Sequence, residues 1–148
     1  MTLHHLILIF HLIAATIWVG GHLLLSICYL PEALKKKDPQ IILHFERKFE
    51  KLGMSSLFVL ICSGIWMAYD FGVSYQTWFS FSGGFEKVIS IKLLLLFLTF
   101  IFALCAQLYF IPKLNPNNIK NMAFVIISVT TIGVAMLVLG STLRYGGI

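Results

Sequence analysis

The chain has 148 residues, of which 59% are hydrophobic and only 11% are charged. Roughly a quarter of the residues of a soluble domain are charged, so this composition excludes an ordinary water-soluble fold and indicates an integral membrane protein. The formal net charge is +5, but the basic residues stand beside apolar segments and among Glu and Asp. We therefore attribute the charge to membrane topology and expect no nucleic-acid partner.

Four apolar segments are each long enough to cross a bilayer as a helix, which takes about 17 to 25 residues. They are 6–30, 52–69, 88–111 and 122–143, the third interrupted only by Lys92. Together with their flanking residues, they predict helices at about 4–30, 39–70, 86–112 and 119–143. The expected fold class is all-α: an integral membrane four-helix bundle, with residues 1–148 forming a single transmembrane domain.

The first segment contains histidines but no Asp, Glu, Lys or Arg. No basic residue precedes it and it is longer than the apolar part of a signal peptide, so we expect a permanent helix, closed by Pro31. At about 100° per residue, His4, His11, Trp18 and His22 share one face of this helix. An imidazole in lipid costs free energy unless something binds it, so these rings predict a site.

Basic residues are concentrated in two of the three connections between the apolar segments, and the middle connection has only Lys87. The first connection contains Lys35, Lys36, Lys37, Arg47, Lys48 and Lys51, and the last contains Lys113 and Lys120. The positive-inside rule puts both connections in the cytoplasm and both termini on the outer side. We therefore expect a multi-pass protein of the bacterial inner (cytoplasmic) membrane.

The connections also contain local structural signals. Asp38 before Pro39 is typical of an N-cap followed by proline at the first helical position. Residues 41–52 have the spacing of an amphipathic segment at the membrane surface. The outer connection, 71–85, is rich in aromatic and small residues and is expected either to anchor at the interface or to cover an outer site.

Groups on different helices can form one site only at the same depth in the bilayer. His11 lies about 7.5 Å from the start of the first apolar segment and Lys92 about 6 Å from the start of the third. Met67 and Arg144 stand near the same surface. An imidazole inside an apolar helical bundle is typical of haem ligation, and the haem carboxylates need cations such as Arg144 and Lys92.

Small and aromatic side chains would supply the flat slot that a porphyrin needs, although close helix packing explains the glycines equally well. The candidate cofactor-binding residues are therefore His11, Lys92, Met67, Arg144, Gly20, Gly21, Gly64 and Trp18. The candidate metal ligands are His11 and His22, which lie about 16.5 Å apart along the helix and cannot share one iron.

Several alternatives stay open. His11 and His22 are each also typical of a histidine that forms a hydrogen bond between two helices. Lys92 is also typical of a lysine whose side chain extends back to the membrane interface. His4, His5 and His44 are expected to be solvated. Copper would use the methionines and cysteines, which form no cluster at helical spacing. The three cysteines lie in different segments and predict no disulfide.

The chain also resembles known families. The segments FHLIAATIWVGGHLLL (10–25), HFERKFEKLGMSSLFVLICSGIW (44–66), KLLLL (92–96) and GSTLRYGG (140–147) resemble the small four-helix branch of the copper resistance protein D (CopD) family. The chain also resembles HemJ-type protoporphyrinogen oxidases, because it has an early Phe-His pair followed by Trp and then Gly, and later a Lys that opens a helix. The essential His and Lys of that family would fall on His11 and Lys92. That family has a further histidine on the third helix, where this chain has Gln107. Both resemblances imply a compact four-helix bundle that holds a haem or a metal.

The expected function is a membrane-embedded b-type haem-binding protein for electron transfer or redox chemistry. The alternatives are copper binding or transport across the inner membrane and a protoporphyrinogen oxidase-like enzyme. A further alternative is an accessory subunit that packs against a larger respiratory complex. The expected partners are the lipid bilayer, a redox protein or quinone, and a second copy of the chain. No nucleotide-binding or hydrolytic motif is present, so neither chemistry is expected.

Overall fold

The computed structural model describes residues 2–147, and this range contains helices and turns but no β-strand. Four helices are long and apolar enough to span a membrane: α1 (Leu3–Lys36), α2 (Gln40–Asp70), α3 (Gly84–Lys113) and α4 (Ile119–Tyr145). The predicted all-α architecture with four spanning helices is confirmed, and the chain is a multi-pass membrane protein. We call the end of the bundle at which α1 begins and α4 ends the terminal end, and the opposite end the hairpin end.

The prediction that Pro31 closes the first helix is wrong, because α1 continues to Lys36. Residues Leu25–Tyr29 form a π-helical turn, in which the N–H of Leu30 donates to the carbonyl of Leu25, five residues earlier. Proline has no N–H to donate, and in a regular helix its ring collides with the carbonyl four residues earlier. The wider π turn shifts the hydrogen-bond register just before Pro31 and lets the helix continue.

The same arrangement recurs in α3. Residues Ala106–Phe110 form a second π-helical turn, which ends two residues before Pro112. Here the chain leaves the helix through a short 3₁₀ turn at Ile111–Lys113. Helix α2 begins at Gln40, one residue later than predicted, and the Asp38 carboxylate accepts a hydrogen bond from the Gln40 N–H at 2.9 Å. Asp38 thus stabilises the start of α2 as expected.

Contacts between the helices define their order. Helix α1 packs along α2 in the antiparallel direction, since His4 meets Asp70, His11 meets Ser63 and His22 meets Phe49. On its other side α1 packs on α4, where Ser26 and Thr130 share a hydrogen bond. Helix α3 packs mainly on α4. The helices therefore follow the spatial order α2, α1, α4, α3, and α4 has the most buried apolar segment of the four.

Three buried clusters follow one another along the bundle. The cluster at the hairpin end contains Leu25, Leu30, Ala33, Ile42, Ile119, Met122, Ala123 and Ile126. The middle cluster consists of Trp18, Val19, Val125 and Val129. At the terminal end, Ala68 of α2 and Ile89 of α3 pack with Val73 from the connection between them. The 71–83 connection thus packs between the ends of α2 and α3. Trp78 and Phe85 pack against this cluster.

The outer faces of all four helices are apolar. Phe10, Phe58, Phe97 and Phe124, one from each helix, are 61% to 68% exposed. A protein in water rarely exposes large apolar side chains over every face, whereas the acyl chains of a bilayer solvate them well. This surface supports the assignment of the four helices as membrane spans. Cys28, Cys62 and Cys105 are also exposed and unpaired.

Candidate functional site

His11 lies half-buried on the side of α1 that faces α2. Its Nδ1 atom is 2.7 Å from the Oγ atom of Ser63. The Ser63 hydroxyl donates its proton to the carbonyl of Val59 at 2.5 Å. A hydroxyl has one proton, so we assign the hydrogen between the two side chains to Nδ1 of His11. Nε2 therefore keeps its lone pair, and this is the form of the ring that binds a metal.

The position of Ser63 within a helix explains this arrangement. A serine in a helix commonly donates to the carbonyl four residues earlier, which leaves the lone pairs of its oxygen as acceptors. A hydrogen bond on the far nitrogen is also what sets the tautomer and ring orientation of metal-binding histidines. Ser63 was not among the predicted site residues. Its role was missed because the two residues are 52 positions apart and only the α1–α2 register brings them together.

Glycines flank the two predicted donor side chains. A Cβ atom at Gly64 of α2 would lie 3.5 Å from Cε1 of His11, and one at Gly140 of α4 would lie 3.3 Å from Nζ of Lys92. A larger side chain at either position would occupy the space beside the donor. Gly64 was among the predicted site residues. Gly140 was missed, since its proximity to Lys92 depends on how α3 packs on α4.

His11 and Lys92 lie at the same depth, as predicted. Each is eight residues from the start of its helix, at Leu3 and Gly84 respectively. At 1.5 Å per residue both are about 12 Å from the terminal end. This is deeper than expected because both helices begin earlier than their apolar segments. Within residues 2–147, Lys92 forms no ion pair.

The other predicted residues are distributed more widely. Met67 is buried, about 4.5 Å from the terminal end of α2. Arg144 is exposed in the final turn, Leu143–Tyr145, at the same end of the bundle. Trp18 is buried, with its ring 3.1 Å from the position of a Cβ at Gly133 of α4. The structure therefore places Gly64 beside the His11 ring and Lys92 at the same depth, with Trp18 outside this group.

His22 has the same tautomer as His11 but different surroundings. Its Nδ1 is 2.8 Å from the backbone carbonyl of Trp18, which can only accept a hydrogen bond. Nδ1 therefore carries the hydrogen and Nε2 keeps its lone pair. The ring centroid lies 4.6 Å from that of Trp18 and 6.1 Å from that of Phe49. Within residues 2–147, no three His, Cys, Asp or Glu side chains are grouped as metal ligands.

The two glycines of α1 face different environments. A Cβ at Gly21 would overlap the ring of Phe49, and one at Gly53 would lie 2.8 Å from it. Gly21 and Gly53 thus make room for the Phe49 side chain, which is the close-packing interpretation. Gly20 is exposed, with no atom within 4 Å of a Cβ built there. Gly20 therefore lies outside the group around His11.

At the terminal end, His4 differs from the expectation of a solvated ring. Its Nδ1 is hydrogen-bonded to the carboxylate of Asp70 on α2, and its ring packs beside Trp66 and Phe71. The α1–α2 register again supplies the partner. His5 is exposed and is hydrogen-bonded to Thr2, and His44 is exposed as expected.

Two open cavities, of about 420 and 330 Å³, lie at the hairpin end, and neither is lined by His11 or Lys92. The fold and the site define a four-helix membrane protein with an oriented histidine inside its terminal half. No protein-family model, curated protein sequence or solved structure matches this chain. The resemblances to the copper resistance protein D and HemJ-type families therefore stay predictions.

Proposed function

We propose that this protein binds a b-type haem in the terminal half of the bundle, with His11 as an axial ligand, and that it serves electron transfer or another redox reaction. The observation that carries the proposal is the Ser63 hydrogen bond, which leaves the Nε2 lone pair of His11 available. A half-buried, oriented and unprotonated imidazole nitrogen is the donor that haem iron takes in helical bundles. When bound, haem supplies a one-electron couple.

Other predicted residues supply groups that a haem would use. Lys92 presents an amine at the depth of His11 and has no acidic partner in the described chain. It would either pair with a haem carboxylate or, as a neutral amine, stand at the second axial position, for which the Met67 thioether is the other candidate. Arg144, exposed at the terminal end, is placed for a carboxylate at the surface. Gly64 and Gly140 keep bulk away from both donors.

The same proposal includes the topology. Eight basic residues lie in the connections of the hairpin end or beside them, so the positive-inside rule assigns this end to the cytoplasm. The haem would then lie in the outer half of a bacterial inner membrane, within reach of a quinone or of a redox protein on the outer side.

The test is the absorption spectrum of the detergent-purified chain, expressed with added haem, together with quantification of iron and copper. We expect a Soret band that shifts on addition of dithionite, and iron without copper. A preparation that lacks a Soret band in both redox states contradicts the proposal. Copper without iron would instead establish copper binding through His11 and His22, the two oriented imidazoles of α1.

Ser63→Ala tests the orientation of the ligand separately from its presence. Loss of this kind of partner typically costs about 10- to 100-fold in metal affinity, so we expect that loss in haem affinity by titration. Ser56→Ala is the matched control, because Ser56 is buried on the same helix and donates only to its own Leu52 carbonyl. Equal affinities for the two variants would show that Ser63 does not orient His11.

A further inference from the structure

The two cavities at the hairpin end form one groove, since Tyr29 and His44 line both of them. The groove lies between the end of α1 and the first turns of α2. We call it the hairpin groove and define it by Tyr29, Glu32, Asp38, His44, Arg47 and Lys48. It is separate from His11, which lies near the other end of the bundle.

One wall of the hairpin groove is cationic. His44, Arg47 and Lys48 stand at positions i, i+3 and i+4 of α2, a spacing that puts them on one helix face. All three are exposed. Within the described part of the chain, none of them forms an ion pair or a side-chain hydrogen bond. Arg47 and Lys48 are therefore cations of the groove that have no ion-pair partner within the described residues.

The two acidic residues of the groove are already engaged. Glu32 accepts a hydrogen bond from Lys36 Nζ at 2.6 Å, as an ion pair within one turn of α1. Asp38 accepts the Gln40 N–H at the start of α2. Glu32 and Asp38 are thus held by other groups, whereas the positive charges of Arg47 and Lys48 have no ion-pair partner within the described residues. These two cations are therefore available to an anionic ligand.

Next to these cations, an aromatic wall lines the groove. The Phe45 and Phe49 rings are stacked with centroids 5.4 Å apart, and the Tyr29 ring lies 4.9 Å from that of Phe45. Close by, Ile27 on α1 and Leu52 on α2 are 68% and 53% exposed, as expected of residues that contact acyl chains. The groove therefore lies at the boundary between the apolar span and the basic hairpin, the level of lipid headgroups.

We propose that the hairpin groove binds an anionic phospholipid, with its phosphate-bearing headgroup on His44, Arg47 and Lys48 and an acyl chain along Phe45 and Phe49. Basic cavities beside spanning helices are suited to anionic headgroups, and charge-assisted hydrogen bonds from Arg and Lys hold phosphate oxygens. Soluble phosphate shares this headgroup chemistry, but only a lipid also uses the aromatic wall. The proposal does not depend on haem.

The experiment is native mass spectrometry of the full chain in detergent, titrated with phosphatidylglycerol and, in parallel, with phosphatidylcholine. Arg47→Gln with Lys48→Gln removes two cations from the groove. Lys35→Gln with Lys120→Gln is the matched control, since both lysines are exposed at the same end but do not line the groove. Circular dichroism verifies that both variants keep their helices.

We expect the unmodified chain to prefer phosphatidylglycerol and the groove variant to bind it about 10- to 30-fold more weakly, with the control unchanged. Equal weakening in both variants would overturn the proposal in favour of general surface charge, and so would equal binding of the two lipids. Displacement of phosphatidylglycerol by excess inorganic phosphate would assign the groove to a soluble anion instead.

Discussion

Replacing His11 with alanine is expected to abolish the Soret band of the purified protein and to lower its haem affinity by more than about 100-fold, because an axial ligand contributes more than the partner that orients it. The imidazole is the one side chain of the site whose donor nitrogen is both unprotonated and held in position, by Ser63. Absorption spectroscopy with haem titration measures the effect. Haem that stays bound with an unchanged spectrum would contradict the assignment.

Two other histidines of α1 provide the comparison. His5→Ala removes an exposed ring that is hydrogen-bonded to Thr2 and, within residues 2–147, to no other side chain, so the spectrum should be unchanged. His22→Ala removes a ring with the same free nitrogen at a level about 16.5 Å from His11. If His22→Ala lowers the iron content by half while His11→Ala lowers it by the other half, the chain binds two haems. If only His11→Ala has an effect, His22 is a packing residue.

Gly21→Ala is expected to destabilise the fold by about 1–3 kcal/mol, the usual cost of forcing extra volume into a packed interior. The added methyl group would overlap the ring of Phe49, which occupies the space between Gly21 and Gly53. Small residues at such positions let spanning helices approach closely, so the substitution pushes α1 and α2 apart. Unfolding in detergent, followed by circular dichroism, gives the free energy of unfolding.

The neighbouring glycine is the matched control. A Cβ at Gly20 meets no atom within 4 Å, so Gly20→Ala should be neutral or stabilising by up to about 1 kcal/mol through helix propensity. In a Phe49→Ala background the cost of Gly21→Ala should disappear, because the two changes act on one contact. Equal effects of the two glycine substitutions would show that Phe49 does not fill this space.

The helices could be predicted from the sequence because the length of an apolar segment is a local property. Helical spacing also predicted that His4, His11 and His22 share one face of α1, and all three contact α2. Distance along the helices likewise predicted that His11 and Lys92 lie at the same depth. The end of α1 could not be predicted from Pro31. A proline normally ends a helix, and the π turn at Leu25–Tyr29 that accommodates it is a shift in backbone hydrogen bonding that no residue type in the segment signals.

The sequence by itself determined that this chain crosses the membrane as four helices and that it carries histidines into the apolar layer, since both follow from residue type and helical spacing. Only the tertiary structure decided what those histidines contact. The antiparallel register of α1 and α2 pairs His11 with Ser63, His4 with Asp70 and Gly21 with Phe49. Register is set by how two whole helix surfaces pack, and such long-range contacts leave no mark in the spacing of either helix alone.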